Sequence, residues 1–182
     1  MEIITANHPK LLILGYAESG KTLAATFLQD SFEGFRFKDS SLAAAEIFIY
    51  DALKDKYGYT DFNECYNDRK NRRKEWHDLI TEYNKDDASR LAKDIMRENS
   101  CYVGMRSLRE IEKCVEEKLF NAVIWIDASE RIPDESIESC SIRLDDIRSM
   151  VTMIIDNNGS EGDFLTTVGY MYQRILVRHQ LS

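Results

Sequence analysis

A short apolar run, Leu11-Leu-Ile-Leu14, leads into Gly15-Tyr-Ala-Glu-Ser-Gly20-Lys21-Thr22, and no other feature of the chain constrains its fold as tightly. The spacing G-x-x-x-x-G-K-[ST], between a buried strand and a helix, is what a backbone needs to wrap a phosphate. Glycines at 15 and 20 let the chain curl, so that the N–H groups of Tyr16, Ala17, Glu18 and Ser19 face one point. Lys21 adds a point charge for the terminal phosphates, and the Thr22 hydroxyl can hold Mg²⁺. The helix that begins here turns its positive end to the same place. Residues 15–22 are therefore the expected nucleotide cradle, with Lys21 also stabilising transferred charge and Thr22 also a metal ligand.

The rest of the chain alternates. Strands are expected at 11–14, 35–37, 101–103, 122–126 and 152–155, and helices at 20–31, 41–56, 67–83, about 86–98, 107–118, 143–150 and 161–178. In the second helix Leu42, Ile47, Ala52 and Leu53 are expected to face inward. Ser107-Leu-Arg-Glu110 reads as a capping box. Such alternation implies an α/β fold, a parallel sheet covered by helices on both faces. Ligands of such sheets bind beyond the carboxyl ends of the strands. The polar residues after each strand should therefore share one rim.

Those rim residues suit phosphoryl transfer. Asp39 can take the proton of an alcohol acceptor, which a phosphate acceptor would not require; it can equally cap the helix after it, with Ser40 as a rival. Arg106, after Gly104, can fork onto an acceptor phosphate or pair with Glu110. Asp127 suits Mg²⁺ or a turn. Arg131 can close over the transferring group or stay solvated. Asp156-Asn157-Asn158-Gly159 can edge onto an adenine through Asn157 and Gly159, or form a plain turn with Gly159 at positive φ. Residues 69–74, Arg-Lys-Asn-Arg-Arg-Lys, lie between Phe62, Tyr66 and Trp76. Arg69, Arg72 and Arg73 would fall close to one helical face. There they could bind a nucleic-acid backbone or nucleotide, or form a solvated face paired with Glu64, Asp68 and Glu75.

Composition narrows the classes. The 182 residues suit one domain, 1–182. A net charge of −8 argues against coating nucleic acid by bulk charge. No apolar run nears the ~20 residues of a membrane helix, and Met1–His8 lacks the pattern of a signal peptide. A cytoplasmic protein with no membrane partner is expected. Cys65, Cys101, Cys114 and Cys140 have no C-x-x-C spacing, and His8, His77 and His179 complete no zinc pattern. Reduced thiols and no structural metal follow. The guanine-reading N-K-x-D is absent, since Asn84-Lys85 is followed by Asp86, Asp87 and Ala88. The chain is also short for a motor, which favours a small kinase over a GTPase or motor ATPase.

Together the loop, the Arg69–Trp76 segment leading to Glu82-Tyr-Asn84, Tyr102-Val-Gly-Met-Arg-Ser107, Ile124-Trp-Ile-Asp-Ala-Ser129 with Arg131, and Ile155-Asp-Asn-Asn-Gly159 resemble phage P-loop kinases over almost the whole chain. The resemblance is greatest to kinases that phosphorylate 5-hydroxymethyluracil in DNA on the way to hypermodified thymidines. Phage deoxynucleoside monophosphate kinases are a second similar branch. The resemblance implies a P-loop NTPase fold of nucleoside monophosphate kinase type, with a five-stranded parallel sheet. It implies a helical acceptor-binding or lid insertion at about 41–99, ATP and Mg²⁺ as cofactors, and DNA containing 5-hydroxymethyluracil, or a free deoxynucleotide, as partner. A P-loop module that binds nucleotide without transferring it is the remaining alternative.

Overall fold

A computed structural model of the chain describes residues 8–132 and 142–181. Five strands form one all-parallel sheet: β1 (Leu11–Leu14), β2 (Phe37–Asp39), β3 (Cys101–Val103), β4 (Ala122–Asp127) and β5 (Met153–Asp156), in the order β2-β3-β1-β4-β5. This is the expected α/β architecture. Its inner strands read as continuous apolar runs because both faces are covered.

Alternate residues feed two cores. Leu12, Leu14, Tyr102, Val123 and Trp125 face the helices of residues 40–95 and helix α7 (Leu108–Glu116). Leu11, Ile13, Cys101, Val103, Ile124 and Ile126 face helix α1 (Lys21–Ser31) and the terminal helix Glu161–Gln180, which contribute Ala24, Leu28, Phe164, Val168 and Tyr172. Cys65, Cys101 and Cys114 are buried free thiols; Cys140 lies outside the described residues. Among the described residues no helix is long and apolar enough to cross a membrane, and no cluster of His, Cys, Asp and Glu could hold a metal ion by itself.

The departures from expectation matter because they place Asp39 and the basic segment. The second strand is Phe37–Asp39, two residues later than 35–37. Phe35 is held in a turn, its N–H donating to Phe32 O at 3.0 Å, and its ring is buried against Tyr172. Asp39 is thus the last residue of a strand.

The helix expected at 41–56 runs through α2 (Ser40–Ala44), a π-helical segment (Ala45–Ile49) and α3 (Tyr50–Tyr57). The wider π turn rotates the buried face. Ala43, Ala44, Ala45, Ile49 and Leu53 point inward, whereas Ile47 and Ala52, expected inside, are exposed.

The helix expected at 67–83 is two helices, α4 (Phe62–Asp68) and α5 (Arg73–Tyr83). Asp61 caps the first by accepting from Glu64 N at 2.9 Å. A turn then intervenes, in which Arg72 is non-helical and Asn71 Nδ2 donates to Asp68 Oδ1 at 2.7 Å. Arg69, Arg72 and Arg73 therefore share no helical face.

The next helix, α6, is only Arg90–Ile95, and a short helix spans Leu144–Ile147. Half of the capping box at Ser107 is made: Glu110 N donates to Ser107 Oγ at 3.4 Å. The Glu110 carboxylate turns inward instead, accepting from Asn84 Nδ2 at 2.8 Å, and burial pushes its pKa up.

Candidate active site

The carboxyl end of the sheet gathers the rim residues. Gly15 follows β1 at φ +148° and Gly20 opens α1 at φ +98°, both in the left-handed region that favours glycine. A Cβ on Gly15 would lie 2.6 Å from Ile126 O and 2.6 Å from Ser19 Oγ; one on Gly20 would lie 2.5 Å from Asn157 Nδ2. Side chains would fill this cradle, so glycine is required here by space as well as by φ. Glu18 also takes positive φ, +60°, and is exposed at the loop's tip. The Tyr16 ring packs edge-on to Trp125 with centroids 5.0 Å apart, which anchors the loop's first turn to β4. Ser19 is fully buried. Lys21 Nζ donates to Tyr16 O and approaches Ser19 Oγ at 3.5 Å, so the ammonium curls over the loop's concave side. The glycine-rich loop, a helix N-terminus and an ammonium meet here, a set that fits a nucleotide's β- and γ-phosphates, although the Ser19 N–H is spent on Tyr16 O at 3.3 Å. Thr22 lies in the first turn of α1 with its side chain exposed, as a Mg²⁺ ligand must be.

Asp127 ends β4, the strand beside the loop's own, in register with Asp156. Its Oδ1 accepts from Ser129 N at 3.0 Å, making the turn that starts the following strap. Arg131 lies on that strap, and its Nε donates to Asn157 O at 2.6 Å. The remainder of the polar stretch expected at 128–141 falls largely outside the described residues, from 133 on.

Asn157 is buried, and its amide Nδ2 donates to Ser19 O at 2.8 Å. It reaches into the phosphate loop, where the sequence reading had turned it towards an adenine. Asn158 Oδ1 accepts from Glu130 N at 2.9 Å. Gly159 is exposed with open space around it, and its φ is not positive, contrary to the turn geometry considered for it.

On the other side of β1, Asp39 pairs in register with Val103, and Val103 with Ile13. Two strand spacings, roughly 10 Å, separate Asp39 from the strand that feeds the loop. Both readings of Asp39 coexist in the geometry. Oδ1 caps α2, accepting from Ser41 N at 2.8 Å and Leu42 N at 3.3 Å. Oδ2 lies on the side of Gly104, where a Cβ would come within 3.2 Å of it. Gly104, at φ +89°, makes room for this carboxylate, and its carbonyl accepts from Ser40 Oγ at 3.0 Å. Arg106 follows on the same rim with its side chain exposed.

The basic segment comes apart into unequal members. Arg69 lies over the Tyr66 ring at 4.2 Å and donates to Tyr66 O at 3.1 Å. Tyr66 stacks on Phe62, the planes 8° apart, and its hydroxyl pKa is raised by burial first and by the Asp39 charge second. Arg72 is committed elsewhere: Nε donates to Asp68 Oδ2 at 3.0 Å, and the guanidinium covers Tyr57 at 3.9 Å. Arg73 opens α5, exposed. Sequence reasoning missed Asn157 as part of the loop, and nothing in the sequence alone signalled it.

Among solved structures the chain is similar to a dephospho-CoA kinase from Campylobacter jejuni, over 92% of this chain and 97% of that one, with a TM-score of 0.51 and 13% identity. A sugar kinase from Janibacter sp. HTCC2649 aligns over 92% of this chain and 95% of that one, with a TM-score of 0.44 and 10% identity. No protein-family model and no curated protein matches the chain. The likeness to the dephospho-CoA kinase shows the fold: a five-stranded parallel sheet with helices on both faces, as in that kinase.

Proposed function

We propose that the chain is a P-loop kinase that transfers the γ-phosphoryl group of ATP to the hydroxymethyl group of 5-hydroxymethyluracil in phage DNA, a step of DNA hypermodification. The observation that carries the reading is Asp39: a carboxylate on the phosphate loop's own rim, with one oxygen fixed by the α2 cap and the other beside Gly104. A phosphate acceptor has no need of such a base, whereas an alcohol does.

Bound ATP with Mg²⁺ supplies the phosphoryl group and part of the charge neutralisation. The chain's own groups do the rest. Loop amides and Lys21 hold the β- and γ-phosphates, and Thr22 and Asp127 are the residues that would hold Mg²⁺. Asp39 takes the proton from the acceptor hydroxyl as its oxygen attacks phosphorus and ADP leaves. Arg131, tied to Asn157 O, offsets charge at the transferring group. The Phe62–Tyr66 pair and Arg69 offer an aromatic face and a cation to the acceptor base and its neighbouring phosphate. Arg106 is a second phosphate contact.

One observation favours a second reading, a deoxynucleoside monophosphate kinase. Arg72 is neutralised by Asp68, which leaves less of the basic segment for a strand of DNA. Transfer of label from γ-labelled ATP separates the two. Label on DNA containing 5-hydroxymethyluracil, and none on unmodified DNA, is expected. Label on free deoxynucleoside monophosphates alone would replace the first reading with the second. Nucleotide binding without transfer to either would leave a nucleotide-binding module.

A further inference from the structure

We infer that Asn157 is a positioning residue of the phosphate loop, holding the Ser19–Gly20 peptide in its phosphate-binding orientation and tying the Arg131 strap to it. The inference rests on the phosphate-loop reading of residues 15–22 and adds a residue that the motif does not contain.

Asn157 lies 138 positions from Ser19 in the chain, just beyond β5, yet its buried Nδ2 donates to Ser19 O at 2.8 Å. The Ser19 carbonyl belongs to the same peptide unit as the Gly20 N–H. A peptide is planar, so fixing the oxygen fixes the direction in which that N–H points. The contact is close enough to depend on Gly20 itself, whose missing Cβ would sit 2.5 Å from Nδ2. A merely space-filling side chain would not need an amide aimed at a carbonyl, nor a glycine to admit it.

The main chain of Asn157 is used as well. Its N–H donates to Asp127 O at 2.6 Å, and its carbonyl accepts from Arg131 Nε at 2.6 Å. One residue thus joins the end of β4, the strap carrying Arg131 and the loop. A purine-reading role would ask the amide to face outward, whereas it is spent inside.

Binding of inorganic tripolyphosphate with Mg²⁺ tests this, because that ligand has phosphates and no base. We expect Asn157→Ala to weaken tripolyphosphate, ATP and GTP alike by about tenfold, the worth of one well-placed buried hydrogen bond. Asn157→Asp keeps size and main-chain bonds but sets an oxygen against Ser19 O, and should weaken all three at least as much. In transfer assays KM for ATP should rise more than kcat falls.

Loss confined to ATP, with tripolyphosphate unchanged, would overturn the inference and assign Asn157 to the purine. Unchanged binding of all three would also overturn it. Melting curves accompany each variant, and failure of both variants to fold would make Asn157 a stability residue, against the inference. If wild type bound no tripolyphosphate and Lys21→Ala changed nothing, the phosphate-loop reading itself would fall. Wild-type binding that Lys21→Ala abolishes and both Asn157 variants retain would sink only the role given to Asn157.

Discussion

The two halves of the rim are built from different material. The donor half is main chain: peptide N–H groups, a helix N-terminus, and glycines at 15 and 20 whose missing side chains make the cradle. The half proposed to bind the acceptor is side chain, carried on β2 and on the helices between β2 and β3, and much of its charge is answered locally. Arg72 pairs with Asp68, Lys56 with Glu75 and Lys38 with Glu46, while Tyr57 and Tyr59 donate to Glu75 and Asp68. A main-chain site depends on residue spacing and on the strand and helix that flank it. A side-chain site depends on where helices break, and those breaks decide which charges are left for a ligand.

The contrast orders the expected effects. The largest belong to the donor half. Lys21→Ala should abolish phosphoryl transfer while leaving the melting curve in place, because Lys21 is only half-buried and packs no core. Gly20→Ala should do comparable damage through geometry, adding a left-handed backbone cost of about 1–2 kcal/mol to the clash with Asn157; nucleotide titration and thermal melting would register both.

Next comes Asp39, where the halves meet. Asp39→Asn should slow transfer to a hydroxyl by at least ~100-fold, yet leave stability nearly unchanged, since Asn caps a helix about as well as Asp. Asp39→Ala should lose the same activity and also about 1 kcal/mol of stability. Rates from labelled ATP, read beside melting curves, separate base from cap.

Smaller effects belong to the acceptor half. Arg69→Ala should raise KM for modified DNA and lower the salt slope of DNA binding by about 1, with kcat little changed. An unchanged slope would remove Arg69 from the strand-binding surface.

The smallest concerns the α4–α5 corner. Hydrogen bonds from Tyr59, then Asn71 and Arg72, hold the Asp68 carboxyl down to about 2 from an ordinary 3.8. A depressed carboxylate stabilises above its unfolded pKa and loses that contribution as pH falls towards the folded value. The corner should therefore loosen between about pH 4 and pH 2, and Arg72→Ala should move that transition to higher pH. Trp76, whose main-chain N–H donates to Arg72 O at 3.0 Å, is a fluorescent reporter at the site.

The sequence was most informative where chemistry is local. The loop of 15–22, the parallel sheet and its inner strands could be placed from apolar runs, glycines and alternation, because buried parallel strands leave so plain a pattern; the edge strand β2, only part-buried, lies two residues later than expected. Asp39 and Asp127 end strands and Arg131 closely follows one, so all three lie on the same rim. Less could be read where a helix changes character. The π turn at Ala45–Ile49 has no compositional marker, so of the residues expected inside, Ile47 within it and Ala52 after it are exposed, while Leu53 is buried. The break at 69–72 was missed because arginine and lysine favour helices, whereas the Asp61 cap had already started α4 earlier and the Asn71–Asp68 contact supports a turn. Asn157 was placed on the rim, but its partner lies 138 residues away, beyond any local pattern.

The most direct test runs wild type, Lys21→Ala and Asp39→Asn side by side, with γ-labelled ATP and DNA containing 5-hydroxymethyluracil. Label on the DNA with wild type, none with Lys21→Ala, and transfer slowed at least ~100-fold with Asp39→Asn are the expected results. Undiminished label with Lys21→Ala would contradict a kinase built on this loop, and an undiminished rate with Asp39→Asn would remove the base from the rim.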